Sequence, residues 1–135
     1  MTLTDTGPLV ALVNGNDTKH AVCQQALPTL RVPLLTTWPC FTEAMYLLGK
    51  VLGYAGQQEL WSYVTDGLLV LYTLSDAEWE RMRRLMHTYR DAPMDLADAS
   101  IVAAAETLSV RRVFTLDRHF YAYRTADRQA LDVVP

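Results

Sequence analysis

The protein has 135 residues, half of them hydrophobic, and 12 Lys and Arg against 15 Asp and Glu give a formal net charge of −3. This length fits a single domain over residues 1–135, and the composition excludes a disordered chain. No apolar run approaches the roughly 18–20 residues of a transmembrane helix, and the first residues lack the features of a signal peptide. Two cysteines exclude a disulfide framework and match no zinc motif. We therefore expect a soluble, cytoplasmic protein.

The first half of the chain alternates short apolar segments with helical patterns. Pro8 suits the first turn of a helix, Asp17 is expected to cap the next helix, and Gly53 is expected to end a long one. In chain order the predicted elements are a strand at residues 3–5, a helix from residue 8, a helix from 17 to 26, a strand at 33–37 and a helix at 38–53.

The second half repeats this alternation. Ser75 followed three residues later by Glu78 is typical of a capping box that starts a helix. The predicted elements are a helix at 57–64, a strand at 68–72, helices at 75–89 and 96–108, a strand at 112–115 and a last strand at 131–134. Short apolar strands separated by helices predict an α/β fold, with a parallel sheet of four to five strands covered by helices on both faces.

Four acidic residues lie near the carboxyl ends of predicted strands or in the first turns of helices. Asp5 ends the first strand, Glu43 lies one turn into the helix after the second, Asp98 lies in the first turn of a helix, and Asp117 follows the fourth strand. Ligands of parallel sheets bind outside the carboxyl ends of the strands. The sequence therefore predicts that these carboxylates converge at one edge of the sheet.

Each of these acids also has an ordinary structural explanation. Asp5 could cap the turn at Thr6, Glu43 could be a solvated acid near a helix N-terminus, and Asp98 could pair with Asp95 in a capping box. Asp117 could belong to a simple turn. These explanations account for each residue alone and leave the shared position of all four unexplained.

Converging carboxylates repel one another unless protons or a metal ion neutralise them. Ligands that offer only oxygen favour hard divalent cations such as Mg²⁺ or Mn²⁺. Such ions activate water and offset charge on phosphorus oxygens, so they suit the hydrolysis of a phosphodiester without a protein nucleophile.

Four segments together resemble the motifs of PIN-domain proteins, in matching order along nearly the whole chain. They are LTDTGPLVAL at residues 3–12, TEA with a following LL at 42–48, MDLADASI at 94–101 and FTLDRHF at 114–120. The compact size resembles the VapC-like toxin branch of this family. The resemblance implies a three-layer α/β/α sandwich and a metal-dependent endoribonuclease, the toxin of a toxin–antitoxin pair.

The resemblance also implies site residues, a cofactor and partners. It places one or two Mg²⁺ or Mn²⁺ ions on four acids, and it gives supporting roles to two threonines and, as a fifth acid or as a helix cap, to Asp95. The acids are Asp5, Glu43, Asp98 and Asp117, and the threonines are Thr6 and Thr115. An RNA substrate, a small antitoxin and a homodimer are the implied partners, with no membrane.

Ten of the twelve basic residues are Arg, and nine of these lie between residues 81 and 128. Arg is suited to bidentate contact with phosphate. Arg118 and Arg124 follow the fourth acidic segment and are therefore the candidate phosphate contacts. The arginines at 81, 83 and 84 could instead form a solvated helix face or contact the antitoxin.

Two other functions remain open from the sequence. A non-catalytic PIN-fold module could bind RNA or protein, although it would have no need of all four acids. A metal-dependent DNA nuclease could use the same site. The net charge does not exclude a nucleic acid, since without the four proposed ligands the acidic residues no longer outnumber the basic ones.

Overall fold

A computed structural model describes every residue from Met1 to Pro135. Five strands form a single sheet in which all neighbours are parallel. The strands are β1 (Thr2–Thr4), β2 (Leu34–Thr37), β3 (Leu69–Tyr72), β4 (Arg112–Phe114) and β5 (Asp132–Val134). Their order across the sheet is β3-β2-β1-β4-β5, so the predicted parallel sheet is confirmed with five strands.

Six helices connect the strands. They are α1 (Thr6–Val13), α2 (His20–Ala26), α3 (Trp38–Leu52), α4 (Tyr54–Thr65), α5 (Asp76–Thr88) and α6 (Leu96–Leu108), with short 3-10 helices at Leu27–Thr29 and Arg118–Tyr121. None of the six combines the length and the apolar character that crossing a bilayer requires.

Local capping chemistry explains where several of these helices begin and end. Gly53, at a φ of 66°, ends α3 as predicted, because glycine tolerates this left-handed backbone. The Ser75 side chain and Glu78 form the predicted capping box of α5. The prediction that Asp17 caps α2 is wrong: its side chain accepts from Lys19 N–H within a turn, and α2 starts at His20 without a side-chain cap.

Alternating strand residues build a separate core on each face of the sheet, because successive side chains of a strand point to opposite faces. Leu35 and Val113 pack with α5 and α6, whereas Leu34 and Phe114 pack with α1, α3 and α4. Helices therefore cover both faces, and the expected three-layer α/β/α sandwich is confirmed.

The strand order also creates a crevice beside β1. The chain leaves β1 toward β2 and β3 on one side, and β4 and β5 occupy the other side. Such a point of reversal leaves an opening outside the carboxyl ends of the strands, where ligands of doubly wound sheets bind. Asp5 directly follows the central strand at this point.

Candidate functional site

A cavity of about 310 Å³ opens at the carboxyl ends of β1 and β4. The structure brings all four predicted acids to it, together with Asp95 and Thr6. The complete lining is Asp5, Thr6, Gly7, Glu43, Leu47, Asp95, Asp98, Leu116 and Asp117.

Asp5 forms the floor of this cavity and is only 6% exposed. Its Oδ1 accepts from the Thr6 N–H at 2.8 Å, so the residue does cap α1 as the ordinary explanation held. Its Oδ2 accepts from Thr115 Oγ1 at 2.8 Å, and that hydroxyl oxygen accepts in turn from the Asp117 N–H at 3.0 Å. Thr115 therefore lies behind the cavity and links Asp5 to the backbone of Asp117.

Asp95 and Asp98 start α6 as a reciprocal capping box. The Asp98 N–H donates to Asp95 Oδ1 at 2.8 Å, and the Asp95 N–H donates to Asp98 Oδ2 at 3.2 Å. Asp98 is 8% exposed, whereas Asp95 is exposed at the rim. Asp95 is thus a helix cap that also lines the cavity.

Glu43 and Asp117 complete the acidic wall of the cavity. Glu43 reaches the cavity from α3, where Thr6 lies within hydrogen-bonding reach of its carboxylate. Asp117 Oδ1 accepts from the His119 N–H at 2.9 Å and lies 2.7 Å from the exposed His119 imidazole Nδ1. The chain after β4 therefore holds Asp117 in a fixed turn.

Burial and then mutual repulsion disfavour the ionised forms of Asp5, Glu43 and Asp98. Burial, and then the charges of Asp95, Asp5 and Asp117, raise the pKa of Asp98 to about 7. Burial is also the main cause that raises the pKa of Asp5, with the Asp117 charge adding to it. The pKa of Glu43 is raised by burial and by the charges of Asp95 and Asp5. The cavity therefore favours the binding of a cation, or the protonation of its carboxylates.

The donor set fits a hard divalent cation. All the charged groups on the cavity wall are carboxylates, and a bound cation would reverse the rise in the pKa of Asp98. No three His, Cys, Asp or Glu side chains stand close enough to hold an ion directly. This spacing suits Mg²⁺, which usually keeps several waters and is bound through one or two carboxylates.

The structure does not bring the candidate phosphate contacts into the cavity. Neither Arg118 nor Arg124 lines it, and the Arg124 guanidinium donates to the carbonyls of Tyr121 and Tyr123 instead. Arg81 is not part of a solvated face, because its guanidinium makes a bidentate ion pair with Glu106 of α6 at 2.9 Å. The arginines at 83 and 84 do form such a face, paired with Glu80.

Two side chains that contact the acids were not predicted from the sequence. The Tyr123 hydroxyl lies 3.3 Å from Asp98 Oδ2, and the buried Cys40 thiol lies 3.6 Å from Asp5 Oδ1. Burial and the Asp5 charge raise the pKa of Cys40 far above its ordinary value, so this thiol is not a nucleophile. Neither residue stands in a spacing pattern that would have marked it, since both contacts join segments distant in the sequence.

A larger apolar groove of about 1160 Å³ adjoins the acidic cavity. It lies between α3, α5 and the start of α6, and it shares Glu43 and Asp95 with the cavity. Trp38, Tyr46 and Trp79 line it while remaining 44%, 64% and 64% exposed. These exposed aromatic side chains make the groove a candidate interaction surface.

No protein-family model matches the chain. Ribonuclease VapC26 of Mycobacterium tuberculosis is 26% identical over 132 residues, which cover 97% of this chain and 98% of VapC26.

Solved structures share the fold along the whole chain. The crystal structure of Mycobacterium tuberculosis VapC20, a sarcin-ricin loop cleaving toxin, superimposes with a TM-score of 0.85 at 14% identity and full coverage of both chains. A chain of a toxin–antitoxin complex from Klebsiella pneumoniae gives a TM-score of 0.72 at 21% identity, over 100% of this chain and 97% of the other. The chain therefore has the PIN-domain fold of these structures, and its sequence is similar to that of ribonuclease VapC26 along nearly the whole length.

Proposed function

We propose that this protein is a metal-dependent endoribonuclease and the toxin of a toxin–antitoxin pair. The observation that carries the proposal is the cavity at the carboxyl ends of β1 and β4, which gathers Asp5, Glu43, Asp98 and Asp117. The similarity to ribonuclease VapC26, over nearly the whole length of both proteins, supports the proposed ribonuclease function.

The chemistry of the cavity wall favours catalysis by a bound metal ion. No serine, cysteine or histidine lines the cavity to serve as a nucleophile. A bound Mg²⁺ or Mn²⁺ would supply an activated water and offset charge on the phosphate. Asp5, Glu43, Asp98 and Asp117 would hold one or two such ions, partly through bound waters because no three of the side chains stand close enough to bind one ion directly. Thr115 would keep the Asp5 carboxylate in place.

The choice of RNA over DNA is directly testable with purified protein. We expect cleavage of single-stranded RNA in the presence of Mg²⁺ or Mn²⁺, and no cleavage of single- or double-stranded DNA of the same sequence. Mapping the new RNA 5′ ends identifies the cut sites, and Asp5→Asn serves as the inactive control. Cleavage of DNA at a similar rate would identify a different nuclease, and metal binding without any cleavage would favour a binding module.

An antitoxin is the proposed protein partner. The acidic cavity complements a basic side chain, and an Arg guanidinium would meet carboxylates here in the bidentate geometry that it favours. A chain with this fold occurs in the toxin–antitoxin complex from Klebsiella pneumoniae. A basic tail in the cavity would block both metal and RNA. The proposed location of this activity is the cytoplasm.

A homodimer is the proposed assembly, formed through the apolar groove. Trp79 on α5 is 64% exposed within this groove, so replacing it with Glu is expected to shift the protein from dimer to monomer. Light scattering coupled to size-exclusion chromatography measures this change. Tyr54→Glu is the matched control, because Tyr54 is 72% exposed and lies outside the groove. A wild-type monomer at micromolar concentration, or a dimer unaffected by Trp79→Glu, would contradict this interface.

A further inference from the structure

Tyr123 lies in the packed segment that follows Asp117. Its side chain is completely buried, with ring centroids 5.0 Å from Phe120 and 5.1 Å from Tyr89 in edge-on contacts. Asp117 caps the 3-10 helix at Arg118–Tyr121 that leads to this aromatic cluster. The cluster therefore joins the turn that holds Asp117 to the start of α6, which holds Asp98.

The Tyr123 hydroxyl reaches two acceptors at the start of α6. It lies 2.5 Å from the Pro93 carbonyl and 3.3 Å from Asp98 Oδ2. A phenol has a single proton, so it donates to one of these at a time. An ionised Asp98 is the stronger acceptor by its charge, and the Pro93 carbonyl is the nearer one.

These contacts fall on one oxygen of the Asp98 carboxylate. Oδ2 faces the Tyr123 hydroxyl and also accepts from the Asp95 N–H at 3.2 Å, whereas Oδ1 has no hydrogen-bond partner in the protein. No buried polar side-chain atom is left without a partner, so Oδ1 is open to the cavity that Asp98 lines. Asp5 differs, because both of its oxygens accept hydrogen bonds.

We propose that Tyr123 is a positioning residue of the metal site, which holds Oδ2 of Asp98 so that Oδ1 faces the cation. The inference rests on the proposed function, since it assigns a role toward the ion that the carboxylates would bind. Residues that orient metal ligands through hydrogen bonds typically change metal affinity about 10- to 100-fold when they are removed.

Tyr123→Phe tests this role, because it removes the hydroxyl and keeps the ring contacts. We expect Mn²⁺ affinity, measured directly by titration with electron paramagnetic resonance, to fall about tenfold. RNA cleavage should show a matching rise in the half-saturating Mn²⁺ concentration and a near wild-type rate at saturating metal. Circular dichroism and thermal melts in chelator verify folding.

Tyr89→Phe is the matched control. It removes a hydroxyl from the same aromatic cluster, one that accepts from the Arg124 N–H at 2.9 Å and contacts no carboxylate. Its Mn²⁺ affinity is expected to stay within twofold of wild type. Equal losses in the two variants, or an unchanged affinity in Tyr123→Phe, would overturn the positioning role while leaving the metal site itself in place.

A measurement on the unaltered protein covers the case in which Tyr123→Phe does not fold. The buried Tyr123 hydroxyl proton is expected to give an NMR signal, assigned through contacts with the Phe120 and Tyr89 rings, that shifts when Mg²⁺ is added. A signal that stays in place while Mg²⁺ binds would overturn the inference. Wild-type protein that binds no Mn²⁺ at millimolar concentration would overturn the metal site and this inference with it, so the two failures are distinct.

Discussion

Asp98→Asn is expected to reduce RNA cleavage by about 1,000-fold or more and to leave the fold intact. Asp98 faces the cavity with one free carboxylate oxygen, and an amide in its place removes the negative charge that a divalent cation needs. The capping geometry of α6 survives, because the Asn side-chain oxygen still accepts from the Asp95 N–H. The measurements are the cleavage rate at saturating Mg²⁺ and the circular dichroism spectrum.

Asp66→Asn provides the matched control for this prediction. Asp66 is exposed at the carboxyl end of α4 and does not line the cavity, so the same chemical change there should leave cleavage unaltered. Asp5→Asn should be as inactive as Asp98→Asn, since Asp5 forms the floor of the same cavity. Full cleavage by either variant, or by wild-type protein in excess chelator, would exclude the proposed mechanism.

The stability of the metal-free protein is expected to fall as the pH rises from about 4 to about 7. The pKa of Asp98 is raised from 3.8 to about 7 in the folded protein, so within this window the folded state binds more protons than the unfolded state. Stability from this group is therefore present at low pH and lost as the pH passes through the folded-state value. We expect a loss of about 2 kcal/mol in the free energy of unfolding, because water in the open cavity screens part of the shift.

Denaturant unfolding of wild-type and Asp98→Asn protein in chelator, between pH 5 and pH 8, isolates this contribution. The difference between the two should grow with pH, with the Asn variant the more stable at pH 8. Mg²⁺ should stabilise the wild type at pH 8 more than at pH 5, because it replaces the protons that leave. Parallel pH profiles for the two proteins would show that Asp98 ionises normally in the folded state.

We expect the acidic site to lower the stability of the metal-free fold. Asp5, Glu43 and Asp98 each have a raised pKa, so each carboxylate is held in a place where its ionised form is disfavoured. The same arrangement makes the cavity attractive to a cation. Variants that lose activity should therefore gain stability in chelator, as expected when a functional site is kept at the expense of folding free energy.

The sequence by itself determined the elements of this fold and the position of the acids. Helix starts such as Ser75 of α5 and stops such as Gly53 of α3 depend on residues at most four positions away, so local chemistry identifies them. The convergence of Asp5 and Asp117 follows from strand direction, because the carboxyl ends of parallel strands meet at one edge of a sheet. The prediction that Asp17 caps α2 was wrong because its side chain stabilises a turn instead of a helix start.

Only the tertiary structure decided which side chains support the acids and which stay away from them. The contact of Tyr123 with Asp98 spans 25 residues and that of Cys40 with Asp5 spans 35. The bidentate pair of Arg81 with Glu106 likewise depends on how α5 packs on α6. Arg118 and Arg124 follow the acids in sequence yet lie outside the cavity. Such contacts depend on the packing of whole elements against one another, and no local pattern of residues encodes them.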